Sequence, residues 1–475
     1  MRALDRLPRA LSRRSHQPPG RPPATWSRSR FCAILLALGA IPLAPGCEVS
    51  PTIASTGTSQ MIHSAGLASD VDGQLILEWN AVLEGVLAGQ SPFAASRFSA
   101  IMHLAVFEAV NAITAKYEPY LTVPCPESTG SARRCPFVTA PDGASPEAAV
   151  VTAAHDILVH YLPAAAATVD AAAAASLAAI PDTPAKSAGI AVGEAAAAAL
   201  IALRANDGAS VPPQFYLPTS AEPGDWQLTP ACPPAGGVFL HWRDVTPFGV
   251  RSSQQFRARR PPPLVSRNYT RDFEELMTVG GMNSTARPPD RADVAVLYAV
   301  HLAGPLWNQV ARQVSAAQGT GLSANARAFA LLNMALADGL ITVMETKYRY
   351  PFWRPETAIR EAASDGNPAT SPDPTFAPFI TTPCHPSYPS AHATASYGAR
   401  TIIERIWGND NHSIVMETPA LPDISLSYTR LDQITTDIDD ARVYGGIHYR
   451  FDQEAGALQG IRIGEYIFRH HLRSR

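Results

Sequence analysis

Three short segments in the C-terminal half carry residue types from which a reactive site can be built. The first is Lys347-Tyr-Arg-Tyr-Pro-Phe-Trp-Arg354-Pro355. The second is His385-Pro-Ser-Tyr-Pro-Ser390-Ala391-His392, and the third Ala441-Arg442-Val-Tyr-Gly-Gly-Ile-His448-Tyr-Arg-Phe-Asp452. Each alone has an ordinary structural use: a basic residue on the last carbonyls of a helix, Pro-Ser opening one, an i,i+4 His–Asp bond on a helix surface. Together they ask for another explanation. Lys347, Arg354 and Arg442 repel one another if buried, and gathering them is favourable mainly around a multiply charged anion. Arg presents a planar fork matched to oxyanions and Lys a point charge. Ser390 adds a hydroxyl, and a helix opening beside it adds free amide N–H groups and a positive dipole end. His392, in that first turn, is close enough to exchange protons. His448 can be a nucleophile or a metal ligand, and Asp452, one turn later, can hold its Nδ1–H and leave Nε2 free.

These segments sit in a chain whose charge makes them conspicuous. The 475 residues carry a formal net charge of −3, but residues 1–46 hold eight Arg, no Lys and one Asp, and without them 30 basic residues face 40 acidic ones. So acidic a mature chain is a poor partner for nucleic acid. Residues 1–46 read as a signal peptide: a basic stretch ends at Arg30, and an apolar run from Phe31 to Ala44, short for a membrane span, follows it. Cys47 comes next, and a lipid anchor there is one expectation, although Ala44 is a poor lipobox residue. Export is expected, to periplasm, surface or medium. No uninterrupted apolar stretch in the mature chain is expected to span a bilayer. Cys125 and Cys135 flank a polar loop that a disulfide can close in an oxidising compartment, and no cysteine spacing suggests zinc.

Positioning the three segments requires helices. Residues 47–70 read as a linker. Residues 71–266 read as an N-terminal helical lobe: helices near 71–83, 95–116 (with Ser96 as cap), 146–161, 163–179 and 185–205, then a Pro/Gly-rich connection. Residues 267–475 read as a C-terminal helical domain, with helices near 269–279, 289–316, 323–349, 390–407, 427–444 and 448–472. The fold class is all-α, two packed helical bundles with the oxyanion site in the C-terminal one. His103, His155, His160 and His301 fall on helical faces and are expected to be core or surface residues.

The three segments resemble the signature shared by vanadium-dependent haloperoxidases and the type-2 phosphatidic acid phosphatase superfamily: Lys-x6-Arg-Pro, Pro-Ser-Gly-His and Ser-Arg-x5-His-x3-Asp. All three occur here in order, with Ala391 in place of Gly and Ala441 in place of Ser. The resemblance continues more weakly into Ser96–His103 and Ala326–Ala335, as in the soluble bacterial haloperoxidase-like branch. It implies that Lys347, Arg354, Ser390, the Ala391 amide and Arg442 hold the equatorial oxygens of vanadate, and that His448 binds vanadium axially. His392 would serve the apical oxygen and move protons, and Asp452 would orient His448. Hydrogen peroxide would be the co-substrate, and a halide and an organic acceptor the other small-molecule substrates. His385 stands where the algal bromoperoxidases have His and the fungal chloroperoxidase an aromatic, which implies bromide or iodide ahead of chloride, in a pocket walled by Phe352 and Trp353. A homo-oligomer is compatible with this reading. The same residues suit two alternatives: an exported acid phosphatase with a phosphohistidine at His448, and a non-catalytic oxyanion-binding envelope protein. The second would need neither His392 nor an oriented His448.

Overall fold

Helix α9 (Leu322–Arg349) is apolar on nearly all sides, and a helix of that composition must be buried, in a protein core or in a membrane. In the computed structural model, which describes residues 72–125 and 134–475, α9 is buried along almost its whole length. It packs against α2 (Pro92–Thr114) and against α11 (Ala391–Trp407) and α13 (Arg450–His470). Around α2 stand α3 (Pro146–Tyr161) and α5 (Pro184–Arg204), with α1 (Gln74–Val86) and α4 (Ala166–Ala178) completing the N-terminal bundle. The C-terminal bundle adds α6 (Arg267–Val279), α7 (Pro289–Val300), α8 (Ala303–Gln318), α10 (Pro355–Arg360) and α12 (Leu431–Tyr444). Two short hairpins are the strands among the described residues: β1 (Thr122–Pro124) with β2 (Arg134–Pro136), and β3 (Ile414–Met416) with β4 (Leu426–Tyr428). The all-α expectation holds. The leader, the linker and Cys47 lie outside the described residues.

Three sequence expectations need correcting. Ser91, not Ser96, caps α2: it accepts the Ala94 amide ahead of Pro92, and Ser96 is buried mid-helix. The single helix expected over 289–316 is two, broken at His301 and Leu302. Pro305 offers no N–H to the carbonyl four residues back and its ring crowds it, so the helix restarts with that proline inside the first turn. Finally, α2, α5 and α9 are each long and apolar enough to cross a membrane by length and composition. In α9 the apolar window is wholly buried, and in α2 it is 89% buried, so there the apolarity serves the core.

The connection after α5 is long but anchored. Asp207 accepts Arg97 Nε at 2.7 Å and Arg204 Nε at 2.9 Å, and Arg204 also reaches the carbonyls of Thr246 and Pro247. The next three amides, Phe248, Gly249 and Val250, all donate to the buried Asp338 of α9 at 2.6–2.8 Å. A second clamp is the disulfide Cys232–Cys384, which ties this connection to the loop that precedes α11. The expected Cys125–Cys135 disulfide closes the β1–β2 hairpin.

The contact that matters most for the site is α11 on α13. Gly456, Gly460 and Gly464 recur every four residues and form a flat strip on α13. A Cβ on Gly460 would stand 2.2 Å from the Thr394 carbonyl oxygen, and one on Gly456 2.7 Å from that of Ser390. The helices therefore meet backbone to backbone, and the N-terminus of α11 lies beside that of α13, with the Ser390 amide donating to the Asp452 carbonyl at 2.9 Å. Gly460→Ala should push the helices apart. The expected outcome is a stability loss of about 2 kcal/mol, read as a lower melting temperature, together with weaker oxyanion binding; a variant that melts with the wild type would mean the strip is not tightly packed.

Candidate active site

Lys347 enters the site from the last turn of α9, fully buried. Its Nζ donates to the carbonyls of Pro386 and Ser387, both at 2.7 Å, which leaves one of its three N–H groups free. Arg354 is the residue on which α10 opens. Its loop is held by the Trp353 amide on the Gly224 carbonyl (2.9 Å) and by the Trp226 amide on the Pro351 carbonyl (2.7 Å). The guanidinium donates to the carbonyls of His385 (2.8 Å) and Ile447 (2.9 Å), to His385 Nδ1 (3.0 Å) and to His448 Nε2 (3.2 Å). Arg442, from the last turn of α12, spends one N–H on the Tyr298 carbonyl at 3.1 Å, and its buried Nε has no partner.

Between Arg442 and His448 the chain must reverse sharply. Gly446 turns it with φ +77° and lies so close to Gly280 that a Cβ would stand 2.2 Å from the Gly280 carbonyl oxygen. Helix α13 then opens with Asp452 as its third residue, where the carboxylate accepts the Tyr449 amide in a capping box. The same Oδ2 lies 2.7 Å from His448 Nδ1, so the ring carries its proton on Nδ1 and offers a lone pair at Nε2. Asp272 of α6 reinforces this end of α13 by accepting the Phe451 amide at 2.7 Å.

Ser390 caps α11, its Oγ accepting the Ala393 amide at 3.3 Å. Ala391 takes helical backbone geometry as the first residue of α11, so replacing Gly keeps the N–H that the sequence pattern requires. His392 is half-buried, yet its Nε2 is shut from solvent and has no partner.

The electrostatics follow from burial. Lys347 is held well below the usual amine range, first by burial and then by Arg354, with Asp452 opposing. Arg354 is lowered to about 10 by burial, and Arg442 to about 9 by burial and by Arg354. His385, His392 and His448 are all pushed well below the ordinary imidazole value, by burial first and the neighbouring cations second. Burial lifts the Asp452 carboxyl above its usual range, while the Ser387 hydroxyl, Lys347 and Arg354 pull it back. The pocket is thus a cluster of cations with neutral imidazoles, and it holds free donors but little negative charge.

Every residue singled out from sequence for the cradle is brought to this one place. Phe352 and Trp353 are buried in an aromatic cluster with Tyr269, Tyr449 and Phe451, next to Arg354. The four histidines set aside from sequence as core or surface residues divide as expected. His103 is core, with Nε2 2.8 Å from Asn80, and His155 bridges Asp156 and Asp170 near the surface; His301 is partly and His160 largely solvent-exposed. Sequence reasoning missed Ser387. It is fully buried, and its Oγ lies 2.5 Å from Asp452 Oδ2 and 3.3 Å from His448 Nδ1. A serine in a Pro-rich loop carries no periodic or spacing signal that would have found it. The Cys232–Cys384 pair, 152 residues apart, was equally invisible.

Comparison with known proteins agrees with this geometry. The model of the VCPO second helical-bundle domain matches residues 327–475, which contain all three segments. A vanadium-dependent bromoperoxidase from Ascophyllum nodosum is 32% identical over 97 residues, a stretch that spans 18% of this chain and 17% of that relative. Among solved structures, a bacterial vanadium-dependent iodoperoxidase superposes with a TM-score of 0.70 at 22% identity, covering 86% of this chain and 100% of that one. A bacterial vanadium-dependent chloroperoxidase in its holo form gives 0.63 at 18% identity, covering 86% and 99%. Residues 327–475 thus match the VCPO second helical-bundle domain, and over most of its length the chain shares the fold of bacterial vanadium-dependent haloperoxidases.

Proposed function

We propose that the protein is a vanadate-dependent haloperoxidase that uses hydrogen peroxide to oxidise a halide, with bromide or iodide ahead of chloride. The observation that carries this reading is the donor set around His448. Lys347 and Arg442 keep unspent N–H groups, Arg442 Nε and His392 Nε2 are buried without partners, and the first amides of α11 add to them. A buried polar atom without a partner is costly, and a tetrahedral oxyanion supplies acceptors for several at once. The residues therefore fit vanadate. Lys347, Arg354, Ser390, the Ala391 amide and Arg442 would hold its oxygens, and His448 Nε2 would be the ligand to the metal. Bound vanadate supplies the Lewis-acid centre at which peroxide is made electrophilic toward halide.

The chain's own residues do the rest. Asp452 keeps the proton of His448 on Nδ1, so the lone pair stays on Nε2. Lys347, Arg354 and Arg442 are buried, and buried cations stabilise negative charge more strongly than exposed ones. His392 is neutral and unpartnered at Nε2, so it can take a proton from an incoming acid and return it. His385 Nδ1 faces Arg354, which leaves its Nε2–H as a donor available to a halide. Phe352 and Trp353 would back that wall. We further propose that the protein is exported, with Cys47 as a candidate lipid site. The basic leader and two disulfides support an oxidising compartment.

The decisive test is a bromide-dependent peroxidase assay on purified protein with and without orthovanadate, beside a phosphatase assay. Activity that requires orthovanadate and peroxide supports the reading. Phosphate-ester hydrolysis that orthovanadate inhibits, with no bromide oxidation, would replace it with the phosphatase reading. His448→Ala should reduce peroxidase activity to background and weaken orthovanadate binding by about 100-fold or more; unchanged turnover would remove His448 as the ligand.

Proton linkage gives a further check. Burial and the cations hold the His392 pKa well below 6.5, and a bound anion opposes that field and raises it. Binding near neutral pH should therefore take up a proton, and affinity should fall as pH rises through the bound-state pKa. Titration calorimetry in buffers of different ionisation heat measures this uptake. His392→Ala should abolish it, and uptake that persists would assign the proton to another group.

A further inference from the structure

Ser387 is uncharged and sits outside the donor set, yet it is bonded to Asp452, to His448, to Lys347 and to the loop before Arg354. Its hydroxyl lies 2.5 Å from Asp452 Oδ2 and 3.3 Å from His448 Nδ1. Its carbonyl accepts Lys347 Nζ at 2.7 Å, and its amide donates to the Phe352 carbonyl at 2.9 Å, two residues before Arg354. One fully buried residue thus joins the ends of α9 and α13 and the loop that leads to Arg354.

The hydroxyl has a single proton to give. At 2.5 Å, and toward a carboxylate, the bond to Asp452 is the strong, charge-assisted one, so the proton goes there. His448 Nδ1 must then carry its own proton toward the same Oδ2. That oxygen receives three donors: the Ser387 hydroxyl, His448 Nδ1–H and, more distantly, the Tyr449 amide at 3.3 Å. Asp452 Oδ1 is buried without a partner, so nothing on that side fixes the carboxylate. Without Ser387, the Tyr449 amide and the imidazole itself would be all that orients the group meant to orient the imidazole.

We propose that Ser387 is a positioning residue. Its hydroxyl locks the Asp452 carboxylate and through it the Nδ1–H tautomer and ring plane of His448, while its carbonyl seats Lys347. The link to oxyanion binding rests on the haloperoxidase reading above; the link to the tautomer of His448 does not.

The test uses full-length Ser387→Ala, Ser387→Thr and Ser387→Cys, with melting temperature as a check of folding. Two readouts are made, the first on protein without added metal. The first is the side-chain 15N pattern of His448 in histidine-labelled protein, assigned with His448→Ala. The second is orthovanadate affinity by calorimetry. Ser387→Ala should blur or invert the His448 tautomer pattern and weaken orthovanadate binding by about 10-fold, and Ser387→Thr, which keeps the hydroxyl, should restore both. Should the alanine variant not fold, Ser387→Cys keeps the volume with a poor donor and should show the same losses. A variant lacking the hydroxyl that retains the wild-type tautomer pattern overturns the proposal. If wild-type protein binds no orthovanadate, the haloperoxidase reading fails and the tautomer measurement still decides the role of Ser387.

Discussion

Lys347, Arg354 and Arg442 repel one another across a pocket in which Asp452 is the carboxylate opposing burial for the first two. Removing a single charge from water costs several kcal/mol even after relaxation. A fold can hold three such groups together only by giving each fixed acceptors, and here the acceptors are mainly backbone carbonyls: Pro386 and Ser387 for Lys347, His385 and Ile447 for Arg354, Tyr298 for Arg442. Carbonyls in tight loops cannot follow a side chain that moves. The cations are therefore held where they are, and the donors they keep unspent point to a ligand that is absent from the chain itself.

That requirement explains the surrounding scaffold. The three segments come from α9, from the loop before α11, and from the α12–α13 turn, and they must meet to within a hydrogen bond. Glycines on α13 let α11 approach to backbone contact, and Gly446 lets α12 and α13 reverse without a side chain in the way. The N-terminal bundle contributes from a distance. Its Arg97–Asp207–Arg204 cluster fixes the long connection, and the connection hangs three amides on Asp338, nine residues before Lys347 on the same buried helix. The N-terminal bundle is thus a mount for α9.

The cradle was legible in the sequence because its chemistry is carried by residue types at helical spacings. His448 and Asp452 are one turn apart, and Pro389-Ser390 announces a helix start. The helices were legible for the same reason, within a few residues at their ends. What escaped was set by tertiary contact. Ser387 has no periodicity, and its role arises only because α9 and α13 both reach its loop. The Asp338 clamp and the Cys232–Cys384 bridge pair residues 88 or more positions apart. The break at His301 was readable from Pro305, whose missing N–H forbids the continuous helix that the apolar pattern suggests.

The contact between Arg354 and His448 shows how such a site can be both stable and ready. The 3.2 Å bond from the guanidinium to Nε2 satisfies the lone pair on which metal ligation would depend, and His385 Nδ1 satisfies a second guanidinium N–H. These are bonds between a cation and neutral imidazoles, weaker than those the same groups make with an oxyanion. Exchange of the first for the second needs no refolding of the loops, because the carbonyls that position Arg354 are separate from the atoms that would be exchanged. The ordering cost is met during folding rather than at binding, and that is the condition under which fixed dipoles stabilise a charged reaction most effectively.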